Sequence, residues 1–215
     1  MNIIETFLSI QGEGIHAGLP TYFVRLAGCN LRCSYCDTKY SYGQGKKKTV
    51  TQIISVIKKQ PFQFICITGG EPLLQNETKE LITKLTQIGY QIDIETNGSV
   101  PIDQVENSSQ ILFSLDIKCP SSGMTKSMHY ENLKLLQKKD QVKFIIGDKR
   151  DYDFSKNVIK KYKLFEKTNV IFTPTGGTEA DHLVRWILKD KLAVRIGLQL
   201  HKFIWKSERE ELNLI

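Results

Sequence analysis

No apolar run in this 215-residue chain approaches the ~20 residues of a membrane span. The opening Met1-Asn2-Ile3-Ile4-Glu5 lacks a basic stretch followed by an apolar one. A cytoplasmic protein without membrane contact is expected. No internal repeat or low-complexity linker divides the sequence, so one domain over residues 1–215 is expected. Cysteine is scarce and odd in number, and five residues in a chain with no secretory segment argue against a disulfide framework. Histidine is sparse as well, and none of His16, His129, His182 and His201 lies a short spacing from a Cys or another His. A closed four-ligand zinc site therefore has too few partners in sequence. The net charge of +7 comes from scattered lysines, with runs at Lys46-Lys47-Lys48 and Lys58-Lys59. No aromatic-interleaved basic segment accompanies it, so nucleic acid is not an expected partner.

What the chain does have is a C-x₃-C-x₂-C run, Cys29, Cys33 and Cys36, between Gly28 and Thr38. Cys66 and Cys119 are isolated. Three thiolates offered to a cluster that takes four leave one iron without a protein ligand, and that iron is open to a small-molecule chelate. An electron-transfer ferredoxin would place a fourth thiolate near the others.

Apolar runs rich in β-branched residues alternate with amphipathic segments, the order of an α/β protein with parallel strands and crossover helices. Strands are predicted at Thr21–Leu26, Phe64–Thr68, Gln91–Glu95, Ile111–Ile117, Gln141–Ile146, Asn169–Thr173 and Ala193–Gln199. Helices are predicted at Val50–Lys59, with Thr49 as cap, and at Thr78–Ile88, Tyr130–Gln137, Phe154–Lys163 and Glu179–Lys189. A full eight-unit barrel takes about 250 residues, and the span 96–110 has room for little helix. The expected architecture is a partial, open (β/α) barrel with reduced helix content.

The cysteine run resembles that of the radical S-adenosylmethionine (SAM) enzymes. In these the methionine end of SAM occupies the open iron of a [4Fe-4S] cluster, and reduction of the sulfonium releases a 5′-deoxyadenosyl radical. The resemblance implies SAM contacts from Tyr35, Cys36 and Asp37 in the cluster loop. It also implies them from Gly70 and Glu71 of Thr68-Gly69-Gly70-Glu71-Pro72, from Glu95 and Asn97 of Glu95-Thr96-Asn97-Gly98, and from Asp116, Ile117 and Lys118. Read without the resemblance, Gly-Gly and Asn-Gly are turn signals, Lys118 is a solvated charge and Cys66 is a core thiol.

Leu8-Ser9-Ile10-Gln11-Gly12-Glu13-Gly14, Phe23-Val24-Arg25-Leu26-Ala27-Gly28-Cys29, Cys36-Asp37-Thr38 and the late Gln199-Leu200-His201-Lys202-Phe203-Ile204-Trp205 narrow the resemblance. They are similar to segments of the 7-carboxy-7-deazaguanine synthases. That family contracts 6-carboxy-5,6,7,8-tetrahydropterin to 7-carboxy-7-deazaguanine with loss of ammonia, a lyase step of queuosine biosynthesis, using regenerated SAM and Mg²⁺. Ile10, Gln11, Gly12, Arg25 and Thr68 would then hold the pterin, with His201 a further candidate, and Thr38 would bind Mg²⁺. Arg25 suits a carboxylate because its guanidinium is a fixed fork, and a Thr hydroxyl suits a hard cation that keeps several waters. A homodimer and a reductant such as flavodoxin or ferredoxin are implied too. Here Lys206–Ile215 continues past Trp205, where some members end with a carboxylate near substrate. The alternatives are a radical SAM activase of a glycyl-radical enzyme and a zinc- or cluster-bearing RNA-binding module.

Overall fold

The computed structural model describes residues 1–205. The seven predicted strands are present, and two more precede and follow the first of them. In chain order they are β1 (Asn2–Ile10), β2 (Pro20–Leu26), β3 (Lys46–Lys47), β4 (Phe64–Gly69), β5 (Gln91–Thr96), β6 (Ile111–Ile117), β7 (Gln141–Ile146), β8 (Asn169–Pro174) and β9 (Arg195–Ile196). They form one sheet in the order β3-β1-β2-β4-β5-β6-β7-β8-β9. From β2 to β9 every pairing is parallel, while β1 runs antiparallel to both β2 and β3. The sheet is open, with β3 and β9 at its two edges.

The helices are α1 (Val50–Ile57), α2 (Glu77–Gln87), α3 (Asn132–Leu135), α4 (Lys149–Tyr162), α5 (Leu164–Lys167), α6 (Asp181–Asp190) and α7 (His201–Ile204). Thr49 caps α1 as expected, in a reciprocal box with Gln52. Three expectations are corrected. The helix placed at Phe154–Lys163 starts at Lys149, because Asp148 accepts a hydrogen bond from the Asp151 N–H and caps it there. The one at Tyr130–Gln137 is a single turn. The last strand shrinks from Ala193–Gln199 to two residues, which pair only with Ile171 and Phe172 of β8. As expected, no helix is found among residues 97–110.

Side chains alternate across the sheet, and the alternation divides its chemistry. Ile65, Ile67, Ile92, Ile94, Phe113, Leu115, Ile117, Val142, Phe144, Val170 and Phe172 point to the helices and belong to one continuous apolar core. On the opposite face Cys66 packs with Phe7 and Phe23, and Glu95, Asp116, Lys143 and Thr173 line a cavity. Cys66 is thus the packed thiol its place in the strand predicts, and burial holds it well above the usual thiol pKa.

Candidate active site

Loops at the carboxyl ends of the parallel strands surround a cavity of about 470 Å³. Functional groups in such sheets gather at this end, since the loops there are free to vary while the strands hold them in place. Cys29, Cys33 and Cys36 all line it, with Tyr35, Asp37 and Thr38 beside them. The cluster loop has no regular structure and is tied to its neighbours by side chains. Asn30 Nδ2 donates to Ser99 Oγ at 2.8 Å, Asn97 Nδ2 to Asn30 Oδ1 at 3.1 Å, and Ser34 Oγ to the Ser121 carbonyl at 2.7 Å. Gly70 is required by close approach, since any Cβ there would fall 2.1 Å from the Gly28 carbonyl oxygen and 2.7 Å from Cys29 Cβ.

The three thiols share the cavity. Among the described residues no group of three His, Cys, Asp or Glu side chains is placed to hold a single metal ion. Three thiols in one cavity offer ligands to three corners of an iron–sulfur cluster. The Leu31 N–H and Asn97 Nδ2 lie 3.4 and 3.6 Å from Cys29 Sγ, the outer donors that orient and tune thiolate ligands. Buried Glu95 Oε1 and Tyr35 Oη have no hydrogen-bond partner among the described residues, and Asp116 Oδ1 has only the Lys143 ammonium 3.5 Å away. All three belong to cavity-lining residues. Buried polar atoms are normally paired, so they fit a polar ligand such as the hydroxyl and amino groups of SAM.

The far wall is ionic. Lys143 Nζ, on β7, donates to Glu95 Oε2 at 2.6 Å and Glu13 Oε2 at 3.0 Å and stands 3.5 Å from Asp116 Oδ1. Lys118 Nζ pairs with Asp116 Oδ2 at 2.7 Å. Burial alone would depress the Lys143 pKa, but the surrounding carboxylates outweigh it and hold the ammonium well above its usual range. Burial pushes Glu95 up to about 7 against the pull of Lys143. Burial opposes ionisation of Glu13 and Asp116 as well, yet both are held below the usual carboxylate range, Glu13 by Lys143 and Gln199, Asp116 by Lys118 and Lys143. Gln199 Nε2 donates to Glu13 Oε1 at 2.8 Å and reaches Asp37 Oδ2 at 3.4 Å, joining this wall to the cluster loop.

Of the residues singled out in sequence, Ile10, Gln11, Gly12, Arg25, Thr68 and His201 line the cavity, as do Gly70, Glu95, Asn97, Asp116 and Lys118. His201 packs over Gly12, where a Cβ would come within 2.1 Å of its Nδ1, and burial lowers its pKa toward the neutral imidazole. Two residues depart from expectation. Ile117 points into the core on the helix side, as strand alternation after Asp116 requires. Glu71 is fully buried and does not line the cavity. Its carboxylate accepts from the Leu73 N–H at 3.0 Å, the Thr96 hydroxyl at 2.9 Å and the Asn97 N–H at 2.6 Å, so it braces the loop that carries Asn97. Lys143, Glu13 and Gln199 were not expected at the site. The signal for Lys143 was a lysine at a cavity-facing position inside an apolar strand. Trp205 is the last described residue, and the extension Lys206–Ile215 lies outside the described residues.

Fold and thiol set together define a radical SAM protein, and the radical SAM superfamily profile matches residues 23–190. A 7-carboxy-7-deazaguanine synthase of Koribacter versatilis is 40% identical over 224 residues, covering 97% of this chain and 98% of that one. One from Methanospirillum hungatei is 42% identical, covering 95% and 85%. The crystal structure of QueE from Escherichia coli has the same fold, with a TM-score of 0.74 at 22% identity over 93% of each chain. The chain belongs to the 7-carboxy-7-deazaguanine synthase family.

Proposed function

We propose that this protein contracts the ring of 6-carboxy-5,6,7,8-tetrahydropterin to 7-carboxy-7-deazaguanine with release of ammonia, in queuosine and 7-deazapurine biosynthesis. The observation that carries the reading is a trio of thiols, short of one ligand for a [4Fe-4S] cluster, in an ionic-walled cavity of a chain alike over its full length to synthases of this name. A glycyl-radical activase would admit a segment of another protein, whereas the ionic walls and recessed thiols suit a small polar molecule.

Cys29, Cys33 and Cys36 would hold the cluster. Tyr35, Asp37, Gly70, Glu95, Asn97, Asp116 and Lys118 line the same space and would border SAM. When bound, cluster and SAM supply the homolytic chemistry that removes a hydrogen atom from the substrate carbon bearing the carboxylate. The residues of the chain bind and orient. Arg25 takes the carboxylate through its fork, and Ile10, Gln11, Gly12 and Thr68 border the heterocycle. His201, held neutral by burial, offers a donor or acceptor without adding charge. Thr38, whose hydroxyl donates to Asp37 Oδ1 at 2.9 Å, would present one oxygen to Mg²⁺. Loss of ammonia alone leaves the overall change redox-neutral, which agrees with SAM being regenerated. One domain, a homodimer, a cytoplasmic setting and a reductant such as flavodoxin or ferredoxin complete the reading.

The test is anaerobic incubation of reconstituted, reduced protein with SAM, Mg²⁺ and the carboxytetrahydropterin. The deazapurine acid is the expected product, and 5′-deoxyadenosine formed without it would remove the reading.

A further inference from the structure

Arg25 reaches the cavity already engaged on one side. Its Nε donates to Glu5 Oε1 at 2.7 Å, and the same oxygen accepts from the Tyr40 hydroxyl at 2.8 Å. The guanidinium carbon lies 5.6 Å from the ring centroid of Phe7 and 5.8 Å from that of Tyr40, and Phe7 is stacked on Phe23 at 4.9 Å. Among the described residues the hydrogen bond of this side chain is through Nε, and the two terminal nitrogens are left without one. Arg25 lines the cavity, whereas Glu5 and Tyr40 stand behind it.

An irregularity in β1 creates this arrangement. Ile3 pairs with Leu26 and Glu5 with Arg25, so two steps along β1 match one along β2. In an unbroken strand Ile3 and Glu5 would share a face. Instead Ile3 joins the core beneath the helices, and Phe7, two residues beyond Glu5, packs with Phe23 and Cys66 on the cavity face. A β-bulge beside a functional site re-aims a side chain in this way.

We propose that Glu5, aimed by the bulge and joined by Tyr40, is the positioning residue that makes Arg25 selective for a carboxylate. A guanidinium can meet a carboxylate side-on through Nε or end-on through its two terminal nitrogens. With Nε held by Glu5 and the Phe7 and Tyr40 rings 5.6 and 5.8 Å from the guanidinium carbon, the end-on fork is what remains for a ligand. Tyr40 lies in the 3₁₀ turn Lys39–Tyr42 just after the cluster loop, so the segment that brings Cys36 and Thr38 also completes the anchor. The inference rests on the pterin reading above and adds to it the origin of selectivity for the acid group.

The experiment uses anaerobically reconstituted holoenzyme with SAM and Mg²⁺. Affinities for two stable fluorescent ligands, 6-carboxypterin and unsubstituted pterin, are measured beside kcat and KM for the carboxytetrahydropterin. In Glu5→Ala the preference for the carboxylated pterin should fall by about tenfold or more, the scale of a hydrogen bond to a charged group, while affinity for pterin itself holds. KM should rise by more than kcat falls. Glu5→Gln, whose amide oxygen still accepts from Nε, should keep most of the preference. Tyr40→Phe, which keeps the ring and so guards against a folding defect at position 5, should lose about threefold. Equal weakening of both pterins, or an unchanged preference in Glu5→Ala, overturns the proposal. Wild-type protein that makes the deazapurine acid while Glu5→Ala keeps its preference overturns the positioning role alone. Failure of the wild type to make that acid removes the reading beneath it.

Discussion

On one side of the cavity Lys143 lies within 3.5 Å of three carboxylates and Lys118 pairs with one of them, whereas on the other the three thiols receive little from the protein. The Cys29 sulfur has only long N–H contacts from Leu31 and Asn97. The ionic wall is largely closed by the chain's own residues on three strands and the Gln11–Gly14 segment. The cluster loop is fixed by Asn30 and Ser34, and among the described residues its sulfurs meet the Leu31 and Asn97 N–H groups at Cys29, the Tyr42 side chain at Cys36 and the charge of Lys118 near Cys33. The difference separates two roles: the Lys143 ion group braces the fold while outer oxygens of Glu95 and Asp116 face the cavity, and the thiols serve a ligand the fold does not replace.

Removing a thiol should therefore abolish chemistry while sparing stability. For Cys33→Ala we expect cluster assembly and SAM cleavage to fall by far more than the ~100-fold that loss of an outer-shell partner causes. Unfolding of the protein without cluster should shift by no more than about 1 kcal/mol. Iron content, 5′-deoxyadenosine release and urea denaturation read these outcomes, and full activity would be incompatible with the ligand set. The opposite pattern is expected at Lys143. Its side chain is 5% exposed, and Lys143→Met strands Glu13, Glu95 and Asp116 without their shared cation. Breaking a buried ionic group from one side costs about 3–5 kcal/mol, to be read as a lowered urea midpoint. If Lys143→Met were as stable as wild type, the contrast between the two walls would fail.

A smaller effect is expected at Glu71. Burial pushes its carboxyl from an ordinary value of 4.5 up to about 7, against hydrogen bonds from Leu73, Asn97 and Thr96. Between these values the unfolded chain has released a proton that folded Glu71 retains. The unfolded state then binds fewer protons, so this group's contribution to stability falls as pH rises through the window. Glu95 acts with the same sign. In Glu71→Gln the decline in stability from about pH 4.5 to 7 should be shallower than in wild type, and an identical slope would contradict a proton held at this site. The smallest change is expected from Thr38→Ala, which should raise the Mg²⁺ concentration for half-maximal activity by up to about tenfold and leave iron content unaltered. A variant indifferent in its Mg²⁺ requirement would remove Thr38 from that role.

Much of this was legible in the sequence, and the gaps have physical causes. The central parallel strands were readable because they are buried on the helix side and rich in Ile, Leu and Phe, and β6 and β7 have the boundaries expected. The thiol trio is local in sequence and needs no fold to be seen. β1 was missed because polar residues such as Glu5, Thr6 and Ser9 lie along it, where β3 pairs only with Asn2 and Ile3, and the bulge at Ile3–Glu5 breaks the alternation that marks a strand. Glu71 was misplaced because a motif gives its neighbours in the chain but not the side to which the backbone turns it. Lys143 lies 48 residues from Glu95 and 130 from Glu13. A partnership over such separations comes only from strand register, in which Asp116 stands opposite Lys143.

The central claim is that Cys29, Cys33 and Cys36 hold a cluster with one iron open to SAM. The direct measurement is an anaerobic iron and sulfide count joined to EPR spectra of the reduced protein before and after addition of SAM. The account predicts about four irons and four sulfides per chain and a spectrum that changes when SAM binds the open iron. Zinc in place of iron, or a cluster spectrum indifferent to SAM, would contradict it.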